Sequence, residues 1–223
     1  MGSNNNHFTT IAKFSPGTPF VEAFGLLAAN LVLADGKNGG TGIHSVAVVG
    51  AEEGHGVSTT ALNLALMAAA TGRRTLLVDA NLRSPSLHLP FGLPVGPGLA
   101  EMLQKKTVLK DAVKAAKTSN LYVLTGGTLT GSPHALFQSE MLGPIFEQIK
   151  ATYDFAVLDT PPALRYPDAL HLARQADGAI VVLPAEGAGR RAEQEVRRRM
   201  ERVDVNILGI VLNRMDPREV VAP

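Results

Sequence analysis

With 223 residues, 45% of them apolar and 18% charged, the chain has the size and balance of one well-cored globular domain and is short for a second. Its formal net charge of +1 supplies no overall field for a polyanion, so nucleic acid is not an expected partner. The absence of cysteine excludes disulfides, thiolate metal centres, iron–sulfur clusters and thiol catalysis, and fits a cytoplasmic setting.

The chain opens without the apolar centre of a secretory signal, and residues 1–15 are expected to be disordered. From Thr18 to Leu33 the pattern is that of an amphipathic helix with a stripe at Phe24, Leu27 and Leu31. The most apolar stretch, Phe20 to Ala34, is 15 residues long and is interrupted by Glu22 and Asn30. A membrane span needs about 20 apolar residues, so none is expected. DGKNGGTG (35–42) reads as a connector. Short apolar runs follow at 45–50, 74–79, 120–124, 154–159, 178–183 and 206–212. Helical patterns at 58–71, 98–105, 107–117, 134–151, 166–175 and 188–203 separate or follow them, and 88–98 is irregular. Apolar strands bounded by helices predict an α/β fold: a doubly wound, mostly parallel sheet with helices on both faces. A single domain over 16–217 and a short tail at 218–223 complete the expectation.

In such folds ligands sit beyond the carboxyl ends of the strands. The first strand opens there into Gly54-His55-Gly56-Val57-Ser58-Thr59, a glycine loop leading into a helix. Its backbone N–H groups and the helix dipole suit a phosphate, and Ser58 stands where a P-loop hydroxyl ligates magnesium. The second strand ends at Asp79 and the fourth at Asp159, two carboxylates fit to hold a metal ion or its water. A glycine turn also serves tightness alone, and a lone strand-end aspartate also caps a helix. Three such features in order favour a magnesium–nucleotide site.

Four stretches carry a family resemblance. EGHGVSTTALNLA, DANLRSPSLHLPFGL with GPGLAEML after it, YDFAVLDTPPAL and ILGIVLNRMD together resemble the cytoplasmic domain of the bacterial tyrosine kinases (BY-kinases). That family is a branch of the MinD/ParA-like P-loop ATPases, and the likeness runs over about 16–217. It implies a P-loop NTPase fold, ATP or ADP with magnesium, and a membrane-embedded polysaccharide co-polymerase as a separate partner. It also implies a cytoplasmic position at the inner face of the membrane, and a role in making or exporting capsule or exopolysaccharide. Carried over by motif, the nucleotide contacts are Gly54, His55, Gly56, Val57, Ser58, Thr59 and Asn213, the last toward adenine. The metal contacts are Ser58, Asp79 and Asp159.

The departures are concerted. Val57 stands at the phosphate lysine and Asn81 at the family's second aspartate. Gly25 and Ala28 stand at two arginines used for ring assembly, and the terminal tyrosine cluster is absent from RMDPREVVAP. Tyr122, Tyr153 and Tyr166 are scattered upstream. A lysine's charge-assisted contacts, each about 1.5–3 kcal/mol, are lost with Val57. His55, Lys37 in the connector and Arg83 after Asp79 are the candidate substitutes. No catalytic residue is assigned, and the expectation is a pseudo-enzyme that scaffolds or regulates, with weak nucleotide binding at most and with self-association open. An active autokinase with a non-standard loop is the alternative. A MinD/ParA-like partitioning ATPase on DNA or membrane is a second, suggested by the arginine-rich run 189–203, which otherwise reads as a solvated helix face. His88, His134 and His171 have no metal-ligand spacing.

Overall fold

The computed structural model describes residues 8–37, 42–185 and 190–215. In chain order the elements are α1 (Pro19–Lys37), β1 (Ser45–Gly50), α2 (Val57–Ala70), β2 (Thr75–Asp79), α3 (Leu99–Leu103), α4 (Leu109–Ala112) and β3 (Val113–Ala115). They continue with β4 (Leu121–Leu124), α5 (Pro133–Phe137), α6 (Leu142–Thr152), β5 (Phe155–Asp159), α7 (Asp168–Ala173), β6 (Gly178–Pro184), α8 (Arg190–Glu201) and β7 (Ile207–Asn213). The strands lie in the order β3-β4-β2-β5-β1-β6-β7. All neighbours are parallel except β3, which runs antiparallel along β4.

The apolar strands are buried on both faces, as side-chain alternation requires. Ala47, Val49, Leu76, Val78 and Leu158 point into one layer, closed by α3, α6, α7 and α8 through residues such as Leu103, Phe146, Leu172 and Met200. Val46, Val48, Leu77 and Val157 point into the other, closed by α2 and, over it, by Leu31 of α1. Burial of about 1.5–3 kcal/mol per large side chain makes these two layers the main source of stability. The central strands β2, β5 and β1 therefore deliver their carboxyl ends side by side to one edge. Asp79 and Asp159 fall at matched positions there, and Val48 of β1 pairs with Asp159 on the other side.

Three expectations are corrected. The helix expected over 107–117 stops at Ala112, and Val113–Ala115 crosses into the sheet with Val113 opposite Leu124. The alanine and lysine content favours helix, and the open edge of β4 overrides it. The helix expected over 134–151 divides into α5 and α6 around Gln138–Met141. Pro144 explains the break: its ring and missing N–H suit the first turn of a new helix and oppose the interior of a continuous one. The disorder expected for 1–15 does not extend over its second half. Phe8 is buried, Ile11–Lys13 forms a short 3-10 turn, and the Asn63 side chain binds the Ile11 N–H at 2.7 Å and the Thr9 carbonyl at 2.8 Å. The segment is held by a residue it meets only after folding. Of the expected connector (35–42), residues 35–37 continue α1; its other half (38–41), residues 1–7 and the tail from 216 lie outside the described residues. No helix among the described residues is long and apolar enough to cross a membrane.

Candidate nucleotide site

The loop between β1 and α2 is shaped by two glycines with positive φ, Gly54 at 79° and Gly56 at 92°. An L side chain rarely adopts either value, and at Gly56 a Cβ would also stand 2.0 Å from the Asn213 amide nitrogen. Gly56 caps α2 without a side-chain hydrogen bond, so the N–H groups of the first turn are not consumed by a cap. With the dipole of this 14-residue helix behind them, they make an anion-receptive end.

A cavity of about 920 Å³ opens over this loop. Gly54, His55, Gly56, Val57, Ser58, Thr59 and Asn213 all line it, so the structure brings together the nucleotide-contact residues expected from sequence. Asn213 clamps the loop from the end of β7: its Nδ2 donates to the His55 carbonyl at 2.9 Å, and its Oδ1 accepts the Arg214 N–H at 2.9 Å. Val57 is half-buried and leans over the end of β1, its Cγ2 only 2.5 Å from where a Cβ on Gly50 would lie. It packs toward the α2 side of the core and brings no charge to the cavity.

Asp79 and Asp159 do not reach the cavity surface; both are fully buried. The Asp79 Oδ2 accepts the N–H groups of Ser86 at 2.8 Å and Leu87 at 2.9 Å, which fixes the loop after β2. Its Oδ1 has no partner, and neither does either oxygen of Asp159 or the buried Oδ1 of Asn81, which lines the cavity. Burial pushes the Asp79 carboxyl up to about 6, against the pull of its backbone donors. Asp159 is raised well above the ordinary range, first by burial and then by the charge of Asp79, while the Ser58 hydroxyl acts in the opposite sense. No donor meets hydrogen-bond geometry on Asp159, so Ser58 faces it without closing a bond. Unpartnered oxygens from Asp79, Asn81 and Asp159, with the Ser58 hydroxyl beside them, suit a hydrated divalent cation. No cluster of three His, Cys, Asp or Glu side chains able to bind a metal directly occurs among the described residues.

The expected lysine substitutes fare differently. Arg83 is committed elsewhere: its Nε and Nη2 donate to Asp168 at 3.0 and 2.6 Å, and its guanidinium lies 3.9 Å over the Tyr166 ring. The backbone after Asp79 carries it toward α7, and it does not line the cavity. The side chain of Lys37 lies outside the described residues. His55 stays in the loop, with a buried Nδ1 that has no partner. Asp168 also binds His134 Nδ1 at 3.1 Å, and His134 meets the His171 ring at 6.0 Å, so these two histidines pack together.

Sequence reasoning missed several wall residues. Phe8, Thr9 and Phe20 come from the N-terminal segment, and Arg214 reaches back so that its Nη2 donates to the Gly54 carbonyl at 2.6 Å. Its position next to Asn213 was the available signal. On α8 the arginines are largely used within the molecule. Arg197 pairs with Glu201, Arg198 and Arg199 pair with Glu195, and Arg199 also binds the carbonyls of Ala163 and Leu164 in the loop after Asp159. Val196 and Met200 face the core, as the helical spacing predicts.

Comparison with known proteins agrees with this geometry. The AAA-domain family AAA_31 matches residues 43–205. The tyrosine-protein kinase YwqD of Bacillus subtilis (strain 168) is 34% identical over 169 residues, covering 76% of this chain and 71% of that protein. The crystal structure of the chimerical protein CapA2B2 superposes with a TM-score of 0.85 at 28% identity, over 92% of this chain and 89% of its own. The septum site-determining protein MinD of Pyrococcus horikoshii OT3, solved in complex with Mg-ADP, superposes at 0.67 with 26% identity, over 81% of this chain and 74% of its own.

Proposed function

Because the chain belongs to the bacterial tyrosine-kinase family of MinD-like P-loop proteins, we propose that it is a degenerate member that works by binding, with weak or no ATP turnover. In this reading it regulates or scaffolds the synthesis and export of exopolysaccharide or capsule. It does so at the inner face of the membrane, docked on a membrane-embedded co-polymerase encoded as a separate chain.

One observation carries the proposal. Val57 fills the base of the loop with a methyl group against Gly50, and the pair Asp79 and Asp159 is fully buried at the strand ends without the counter-charge a lysine would supply. Charge that spreads over a phosphoryl group during transfer needs a preorganised cation, and the loss of such a group costs about 2.7–4 kcal/mol of transition-state stabilisation. Ground-state binding depends less on it, because the loop N–H groups, Ser58, Thr59 and Asn213 remain. Bound magnesium would be held through Ser58, Asp79 and Asp159, with Asn81 on its water, and would neutralise the phosphates.

Equilibrium titration of ADP and ATP, with and without magnesium, tests this reading. Measurable binding that requires magnesium and is lost in Asp159→Asn is expected. A protein that binds neither nucleotide at millimolar concentration contradicts it. The second reading, a still active ATPase, is supported by the retention of Ser58, Asp79 and Asp159 at the loop and strand ends. Self-association through the family's ring contact is disfavoured, since Gly25 and Ala28 line a small apolar recess between α1 and α2 of about 300 Å³ and offer no charge. Light scattering over a range of concentrations, with magnesium and ADP present, is expected to give no closed ring.

A further inference from the structure

Positive charge is scarce where a phosphate chain would need it. Val57 holds the lysine position, Arg83 is bound to Asp168, and Glu52 and Glu53 add negative charge to the cavity wall. Arg214 is the one lysine or arginine among the described residues of that wall. We infer that Arg214 is the cation that receives the phosphate chain of a nucleotide here, approaching from the end of β7 instead of from the start of α2. The inference rests on the nucleotide-binding reading and adds the residue that makes such binding possible without the lysine.

The local geometry is built for this. Directly after the ladder of β7 the backbone of Arg214 turns into the left-handed region, with φ 60°. That conformation costs a non-glycine residue about 1 kcal/mol and persists where the surroundings over-determine it. The surroundings are specific: the Arg214 N–H is held by the Asn213 Oδ1 at 2.9 Å, and the same Asn213 side chain grips the His55 carbonyl. The turn sends the Arg214 side chain back over the loop, where Nη2 meets the Gly54 carbonyl at 2.6 Å.

Among the described residues only one of the five guanidinium donors has a partner, and the side chain is exposed. The remaining donors form a planar fork of the kind that binds phosphate through two hydrogen bonds. Gly54 has no side chain to shield it, and a Cβ added there would meet nothing nearer than Arg214 Nη2 at 3.9 Å. The neighbouring Arg165 is paired with Glu53 and does not line the cavity. Anchoring on the loop's own carbonyl holds the guanidinium close to the N–H groups of α2 before any ligand arrives.

The test is calorimetric titration of the full chain with ADP, ATP, inorganic pyrophosphate and adenosine, all with magnesium, for wild type, Arg214→Gln, Arg214→Lys and Arg165→Gln. Arg214→Gln is expected to weaken ADP, ATP and pyrophosphate by about tenfold or more and adenosine by less than about twofold. Arg214→Lys is expected to recover part of the loss, and Arg165→Gln to bind like wild type. The wild-type affinity for ATP is expected to fall with added salt more steeply than that of Arg214→Gln. An equal loss for all four ligands would overturn the assignment and leave Arg214 as a clamp on the Gly54 carbonyl. Unchanged phosphate affinities would overturn it as well. Wild-type protein that binds none of the ligands overturns the nucleotide reading itself and the inference with it.

Discussion

Replacing Asp79 with asparagine should stabilise the protein in the absence of ligand. Asp79 is fully buried, and burial raises its carboxyl from the usual 3.8 to about 6. A folded-state value above the unfolded one means that the folded protein holds the proton more tightly. The stability this contributes is complete below 3.8 and is lost as pH rises through about 6. At pH 7.5 the ionised group then costs about 3 kcal/mol, since each tenfold difference in proton affinity between the folded and unfolded states is worth about 1.36 kcal/mol. Asparagine removes that cost, and its oxygen can still accept from the N–H groups of Ser86 and Leu87. Its amide can donate toward Asp159, which lies opposite in the sheet with no partner of its own. Urea denaturation of wild type and Asp79→Asn at pH 7.5 and pH 5 gives the measurement. We expect the variant to be more stable by about 2–3 kcal/mol at pH 7.5, with the gap shrinking by about half at pH 5. A variant that is less stable at pH 7.5, or a gap that does not change with pH, would refute the account of two uncompensated carboxylates.

Asn63→Ala should release the N-terminal segment, since the Asn63 side chain binds Ile11, Thr9 and Thr59 at 2.7, 2.8 and 2.9 Å. A loss of about 2–3 kcal/mol is expected by urea denaturation, together with faster amide exchange over residues 8–13. Gly56→Ala forces φ 92° on a residue with a Cβ and drives that atom into the Asn213 amide. Destabilisation of about 1–2 kcal/mol or more is expected by thermal melting, along with weakened ADP affinity. Asp168→Ala strips both Arg83 and His134 of their partner, and the buried ion pair should cost about 3 kcal/mol in urea denaturation, whereas Asp168→Asn should cost less.

The parts of the fold that local pattern governs were legible. Runs such as SVAVVG and FAVLD are apolar on both faces and end at the sheet edge, so their boundaries located β1 and β5, and with them the loop and Asp159. The break between α5 and α6 has a local signal too, in Pro144, but the helix expected over 134–151 runs through it. Edge strand β3 was not, because VKA in isolation favours helix and becomes a strand only beside β4. Long-range partners were invisible for the same reason. Phe8 is ordered through Asn63, and Arg83 is drawn from the cavity by Asp168, 85 residues away. Arg214 enters the site through one left-handed residue, which no periodicity announces.

The central claim is that this P-loop protein binds and does not turn over. Steady-state ATP hydrolysis and tyrosine autophosphorylation, measured on the purified chain with magnesium and repeated with the proposed co-polymerase partner, test it most directly. Rates at the level of the Asp159→Ala variant, with and without the partner, are the predicted result. Turnover well above background that disappears in Asp79→Ala and Asp159→Ala would contradict it.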